Sequence, residues 1–443
     1  MTMTSLTRPR PRLTSIPGIG YLEAARFVGA QIPPILAAGL REDRRITRAS
    51  EAPAHVPRTL FDPTHPDAVA SPHADYRMLR AQGVAVNEKL NVWMLSRYDH
   101  VSDAVRHPDI FSSAKGIFLR SVDVPNLITR DRPDHTRLRS VMTPHFHPKR
   151  LGDLADDIRQ LADPAISRLA QGETVDFTRD LAIPLPISVI AQMLGVPTAD
   201  WATFRGWSDH LANVFGPEDL ASAVSFWADV FSSMVGLEAM VRREVARRTS
   251  EPTEDLFTAI EQAVAAGQLD RFEVFLYVMI LIVAGNETTS NLLGMVADRL
   301  AADPELLERL RADRTLVPAF VEEMLRWGSP IQWVSRVTNE PYLVGETEIP
   351  AGSRVVLFLA SANRDPERFQ NPDRVDITRR NAGMLGFGAG PHFCLGAHLA
   401  RLEVVTVVDH LLDNVSSLRA AGPVVWGTTP SLRGPTSVPV RLR

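Results

Sequence analysis

The residues best equipped for chemistry lie in GFGAGPHFCLGAHLAR, Gly386–Arg401, around Cys394, the one cysteine in a chain of 443 residues. A cysteine acts as ligand or nucleophile only as its thiolate, and a helix N-terminus stabilises that anion through its dipole and free N–H groups. Leu395–Arg401 reads as the start of such a helix, while Gly386, Gly388 and Gly390 permit dihedrals and close approaches that a side chain would bar. A lone cysteine is otherwise a small buried hydrophobe. Zinc and iron–sulfur centres need several cysteines. A single thiolate as the sole protein ligand suits an iron whose equatorial positions are filled by a porphyrin.

Three further segments carry polar groups in unusual settings. FLYVMILIVAGNETTSNLL, Phe275–Leu293, follows an apolar start at Phe272 that marks a helix buried on all sides yet too short to span a bilayer. It then meets Gly285, Asn286, Glu287, Thr288 and Thr289. A carboxylate and hydroxyls inside such a helix are costly unless used or hydrated, although threonines also bond back to the preceding turn. In FVEEMLRW, Glu323 and Arg326 stand one turn apart, a spacing that on a surface is worth little. In DRPDHTRLRSVMTPHF, Asp131–Phe146, Pro133-Asp134 reads as a helix start and puts His135 and Arg139 on one face, able to grip an anion. His145 and His147 lack a third ligand and read as structural.

Taken together these segments resemble the cytochrome P450 family. Phe387-Gly388-x-Gly390-x-His392-x-Cys394-x-Gly396 matches the family's haem-binding signature at every fixed position. The resemblance implies haem b (heme, iron protoporphyrin IX) with Cys394 as axial thiolate, Phe387 covering the ligand-side face and His392 on a propionate. Ala284-Gly285-x-Glu287-Thr288 resembles the family's oxygen-binding helix, with Ala284 and Gly285 over the haem and Glu287 and Thr288 as the acid and alcohol that deliver protons through water. Glu323 and Arg326, joined by Arg379 of DITR, resemble a structural lock beneath the haem. Arg336, His135 and Arg139 match propionate-binding positions. The likeness extends from Phe61 to the C-terminus and includes Ala362–Arg379.

The implied reaction is monooxygenation: one atom of O2 enters a substrate and the other leaves as water. Two electrons must come from outside, because no second cysteine can hold a cluster and no Gly-x-Gly-x-x-Gly follows a strand. A ferredoxin or flavodoxin with its reductase is the implied partner, and Arg132, Arg139 and Arg401 are candidates for steering it. A peroxide-driven peroxygenase and a haem-containing binding module are the alternatives; the intact Glu287 and Thr288 speak against both. Family substrate pockets draw on a loop here at Lys115–Leu127, on the helix face of Ile280, Val283 and Ala284, and on Ile331–Val334. Ile117, Phe118, Leu119, Val122 and Trp333 make these stretches mostly apolar, so an apolar small molecule is expected.

The elements that must position these groups are mainly helices with small β-sheets, in the P450 fold that sets haem between a long central helix and the cysteine loop. VNEKLNVWMLSRY, residues 86–98, reads as a hairpin bracketed by Asn87 and Asn91; His145 to about Leu325 reads as helix; Arg336–Leu359 reads as short strands. Residues 1–60 are an N-terminal extension, beginning with an Arg/Pro/Ser-rich stretch at Thr7–Pro17, and residues 61–443 a single domain. The extension's apolar part, Tyr21–Leu40, is broken by Pro33 and Pro34 and reads as an arm or helix packed on the body, not a membrane span. A net charge of -4 argues against nucleic acid. With no secretory leader visible and one cysteine, a cytoplasmic monomer is expected.

Overall fold

The computed structural model describes residues 20–121, 124–212 and 220–442. The Thr7–Pro17 stretch and Val122 lie outside these residues. The organising element is a central helix, Arg271–Ala302, closed at its start by a capping box: Asp270 accepts the Glu273 N–H at 2.8 Å and Glu273 accepts the Asp270 N–H at 3.0 Å. Phe275, Leu276, Val278, Leu281 and Ile282 are all buried, so its first half is enclosed as its composition requires. By length and hydropathy it would pass for a membrane span, but its place is the protein core. Helices Pro184–Leu194, Leu220–Ser250, Val317–Gly328 and Ala397–Asn414 pack around it.

A five-stranded sheet lies to one side, in the order Val84–Asn87, Val92–Leu95, Arg354–Leu357, Val334–Thr338, Phe111–Ser112. The first two strands form the expected hairpin, with Val86 opposite Trp93 and Asn91 in the turn at a φ of 56°. Only the pairing of Trp93–Leu95 with Val355–Leu357 is parallel.

Residues 20–60 are built into this body. Helix Gly20–Asp43 runs through Pro33 and Pro34, whose rings sit on its exposed side. Its inner face sets Ala24 and Val28 against Val235 and Ala239. Glu23 pairs with Arg242 at 2.9 Å and with Arg271 at 3.1 Å. Beyond it, the Thr47 N–H donates to the Gly352 carbonyl and the Thr59 N–H to Val86, each at 2.9 Å.

Glu323 and Arg326 are fully buried and meet through two hydrogen bonds of 2.8 Å, while Arg379 Nε reaches Glu323 Oε1 at 3.2 Å. Arg326 also donates to the carbonyls of Asn363 and Pro372, at 2.8 and 3.0 Å. Breaking such a pair strands a buried charge. Arg326→Leu is therefore expected to cost about 3–5 kcal/mol in urea unfolding. Arg159→Leu, which removes the exposed pair with Asp156, should change stability by no more than about 0.5 kcal/mol. Equal effects of the two would show that the buried pair carries no special weight.

Candidate active site

The cysteine loop is held by its own backbone. The Cys394 N–H donates to the Phe387 carbonyl at 2.9 Å, Gly388 to Leu385 and Phe393 to Gly390, each at 3.0 Å. Gly388 and Gly390 both have a φ of 68°, and a Cβ on Gly390 would lie 2.9 Å from the Val105 carbonyl oxygen. Only glycine fits there. The loop delivers Cys394 to the start of helix Ala397–Asn414, whose N-cap is Gly396. Burial pushes the Cys394 thiol up, against the Gly396 N–H and the charges of Arg139 and Arg401, which favour the thiolate. Cys394 sits deep in the protein and is nevertheless accessible, so it faces an internal space.

Four basic side chains from three separate elements gather beside it. His135 and Arg139 come from helix Asp134–Met142, Arg336 from strand Val334–Thr338 and His392 from the cysteine loop. The rings of His135 and His392 are 4.3 Å apart. Burial, reinforced by Arg336, His135 and Arg139, brings His392 down to about 3, and burial brings Arg336 down to about 10. Burial and Arg139 also lower His135, whose Nε2 is buried without a partner. Arg139 donates to the Pro391 carbonyl at 3.2 Å and Arg336 to Ser335 at 2.7 Å; neither has a carboxylate within salt-bridge distance among the described residues. The nearest acid, Asp131, is 4.0 Å from His392 and is engaged by Ser112 Oγ at 2.5 Å and the Ser113 N–H at 3.0 Å. A buried surplus of donors of this kind calls for an anion.

The central helix carries accessible groups of its own. Ile280, Val283, Glu287 and Thr288 are partly accessible and Ala284 is exposed, although they lie within the core helix. They recur at three- and four-residue spacing, so they form one stripe facing an inner space. Thr288 Oγ1 donates to the Ala284 carbonyl at 2.8 Å. Burial raises the Glu287 carboxyl to about 7, opposed by a hydrogen bond from Thr429, and its Oε2 has no partner. Gly285 stands apart from this stripe: a Cβ there would meet Ile190 at 3.3 Å, so its missing side chain serves packing against helix Pro184–Leu194 and not the inner space.

Other expectations need correction. Trp333 is 2% exposed and packs with Tyr76, Met94 and Phe358 beneath the sheet, so it lines no pocket. Leu119 packs on the same cluster, whereas Ile117 is half-buried and its carbonyl accepts the Ser335 N–H at 2.8 Å. Arg401 is committed to Glu322 at 2.5 Å and stacks 4.5 Å above the Phe387 ring, and Arg139 points inward; of the three arginines considered for steering, Arg132 is the exposed one.

Two sets of residues went unnoticed in the sequence. Glu403, from the helix after Cys394, meets Thr289 on the buried side of the central helix, and burial raises its carboxyl to about 8. Asp43, at the end of the N-terminal helix, accepts the Ser121 N–H at 2.8 Å and Arg354 Nη2 at 3.2 Å, while Arg354 also donates to the Phe118 carbonyl at 2.8 Å. Together they pin the loop at Phe118 and Ser121. Nothing local in the sequence signals either contact.

The family model described as Cytochrome P450 matches residues 208–418. Cytochrome P450 107B1 of Saccharopolyspora erythraea is 36% identical over 392 residues, covering 83% of this chain and 94% of the relative. This chain belongs to the cytochrome P450 family. The P450 monooxygenase PikC of Streptomyces venezuelae is 35% identical over 85% of this chain and 92% of its own length. Among solved structures, the P450 CYP109Q5 from Chondromyces apiculatus superposes with a TM-score of 0.77 at 33% identity, covering 87% of this chain and 98% of that one. The chain is thus a P450 monooxygenase with the P450 fold, and P450 enzymes carry haem on a cysteine thiolate. The residues present fit that group. An accessible thiol at a helix N-terminus, a small accessible residue on the central helix and a basic cluster whose arginines pair with no carboxylate among the described residues match an iron, a flat ring and two carboxylates.

Glu403 lends stability a definite pH dependence. Between its ordinary value of 4.5 and about 8 the folded protein holds a proton that the unfolded chain has released, so stability falls as pH rises through that window. The urea midpoint should decline from pH 5 to pH 8, and Glu403→Gln should flatten the decline. An unchanged slope in that variant would assign it to other groups.

Proposed function

We propose that Cys394 is the thiolate ligand of haem b in a monooxygenase that acts on an apolar small molecule. The observation that carries this reading is the accessible Cys394, at a helix start, beside a basic cluster whose two arginines, Arg139 and Arg336, have no carboxylate within salt-bridge distance among the described residues. Haem ligated in this way supplies reductive activation of O2 and transfer of one oxygen atom to carbon.

The chain's own residues then divide the work. The Gly396 N–H and the helix dipole hold negative charge on the sulfur, and Gly388 and Gly390 let the loop lie close to a planar partner. His135, Arg139, Arg336 and His392 receive the two propionates, with the unpartnered His135 Nε2 as one donor. Phe387, backed by Arg401, covers the cysteine side. Ala284, small and exposed, would leave room for a small molecule beside the bound group. Glu287, raised to about 7, is poised near neutrality to take up and release a proton, and Thr288 lies one position on along the same accessible stripe. Their joint presence supports use of O2 over peroxide. Glu323, Arg326 and Arg379 fix the framework beneath the loop.

Ile117, Ile280 and Val283 offer the substrate an apolar lining, which supports a hydrophobic compound. Electrons come from a ferredoxin or flavodoxin and its reductase. A depression of about 650 Å³ on the outer side of the cysteine loop, lined by Arg106 and Phe393 among others, is the surface offered to such a partner. The monooxygenase domain of residues 61–443 is completed by residues 20–60, which pack on it, in a soluble cytoplasmic monomer.

The test is the absorption spectrum of the dithionite-reduced protein under carbon monoxide. A strongly red-shifted Soret band is expected, and Cys394→Ser should abolish it. A histidine-type spectrum would refute the thiolate assignment. Thr288→Ala should keep the haem spectrum while a larger share of consumed O2 appears as peroxide; unchanged coupling would remove the proton-delivery role.

A further inference from the structure

A second apolar space, partly open at the surface, lies under the N-terminal helix. It has a volume of about 160 Å³, and its walls come from that helix (Val28, Ile32, Ile35), from Met234, and from Phe275 and Met279 of the central helix. Gln31 is the one polar residue on its lining. An apolar cavity of about 150 Å³ stays dry and takes up a benzene-sized guest, because water finds no hydrogen-bond partners within it. This space therefore selects a hydrocarbon group.

Its neighbours suggest where that group comes from. Met279 precedes Ile280, Val283 and Ala284 on the accessible stripe of the central helix, and five residues of helix are about 7.5 Å. Val124, from the loop that Asp43 and Arg354 anchor, lines the same cavity. The cavity thus shares one wall with the candidate active site and another with the loop that carries Val124. We propose that it is the outer end of the substrate site and receives a ring or chain of roughly six to eight carbons, as its benzene-scale volume dictates. The N-terminal helix is then a specificity-determining wall. The substrate half of this inference rests on the monooxygenase reading; the hydrocarbon site itself does not.

The experiment uses the full-length haem protein with methyl-13C methionine. Toluene should shift the Met234 and Met279 methyl resonances together and saturably, leaving the other methionines in place. Ile35→Trp, or Ile32→Phe should the first variant fail to fold, fills the space and should remove the response. Unmoved methyls, or shifts that survive filling, would overturn the site. A second arm uses 1-octylimidazole, whose ring binds haem iron. It should move the same two methyls and compete with toluene, whereas imidazole alone should move neither. A haem response to 1-octylimidazole without any methyl shift would refute the link to the substrate site. Loss of every haem response, with toluene binding intact, would instead refute the monooxygenase reading and leave the hydrocarbon site standing.

Discussion

A carboxylate that no water can reach must be surrounded by donors, and in this chain that requirement shapes the region beneath the active site. Glu323 binds two guanidinium groups and the Asp376 N–H, at 2.9 Å. Arg326 passes the constraint to the Asn363 carbonyl, and the Asn363 side chain accepts the Leu385 N–H at 2.6 Å, just before the glycine loop. A charge pair inside one helix therefore fixes, through three hydrogen-bonded steps, where Cys394 can stand. The attraction need not contribute much net stability, since desolvation offsets most of it. Its effect is on uniqueness: other arrangements of the segment from Asn363 to Arg379 would leave a buried charge unmatched.

Above that base the site is made by contrast. The loop and the central helix each present small groups, glycines on one and the exposed Ala284 on the other, while the surrounding helices are densely packed. The basic cluster at the edge has the opposite character, crowded with donors and short of acceptors. A flat apolar body with acidic appendages satisfies both at once. Glu287 and Thr288 then stand on the one accessible face of an otherwise buried helix, where a titratable carboxyl keeps an unpartnered oxygen.

Much of this was legible in the sequence because the requirements are local and strict. A positive φ demands glycine at Gly388 and Gly390, a buried helix demands an unbroken apolar run, and a one-turn spacing pairs Glu323 with Arg326 and His135 with Arg139. What escaped is decided by partners distant in the chain. Trp333 reads as a pocket residue until Tyr76, Met94 and Phe358 close around it. Arg401 reads as a free cation until Glu322, 79 positions earlier, closes on it. Gly285 reads as an opening over the site until Ile190 is set against it. The prolines of the N-terminal helix suggested an interruption, yet on its exposed side they are accommodated without a break. Glu403 and Thr289 meet only because two helices cross.

Asp43 and Arg354 are 311 residues apart, and Arg354 belongs to a central strand of the five-stranded sheet with its side chain 2% exposed. The sheet and the N-terminal segment are consequently not separable modules. A protease that removed the first helix would take away the carboxylate matched to a guanidinium buried in the sheet, along with the anchor of the Lys115–Leu127 loop. Trimming at the boundary that composition suggests would thus unsettle the β-structure from within, and the segment that looks most like an appendage is a keystone of the fold.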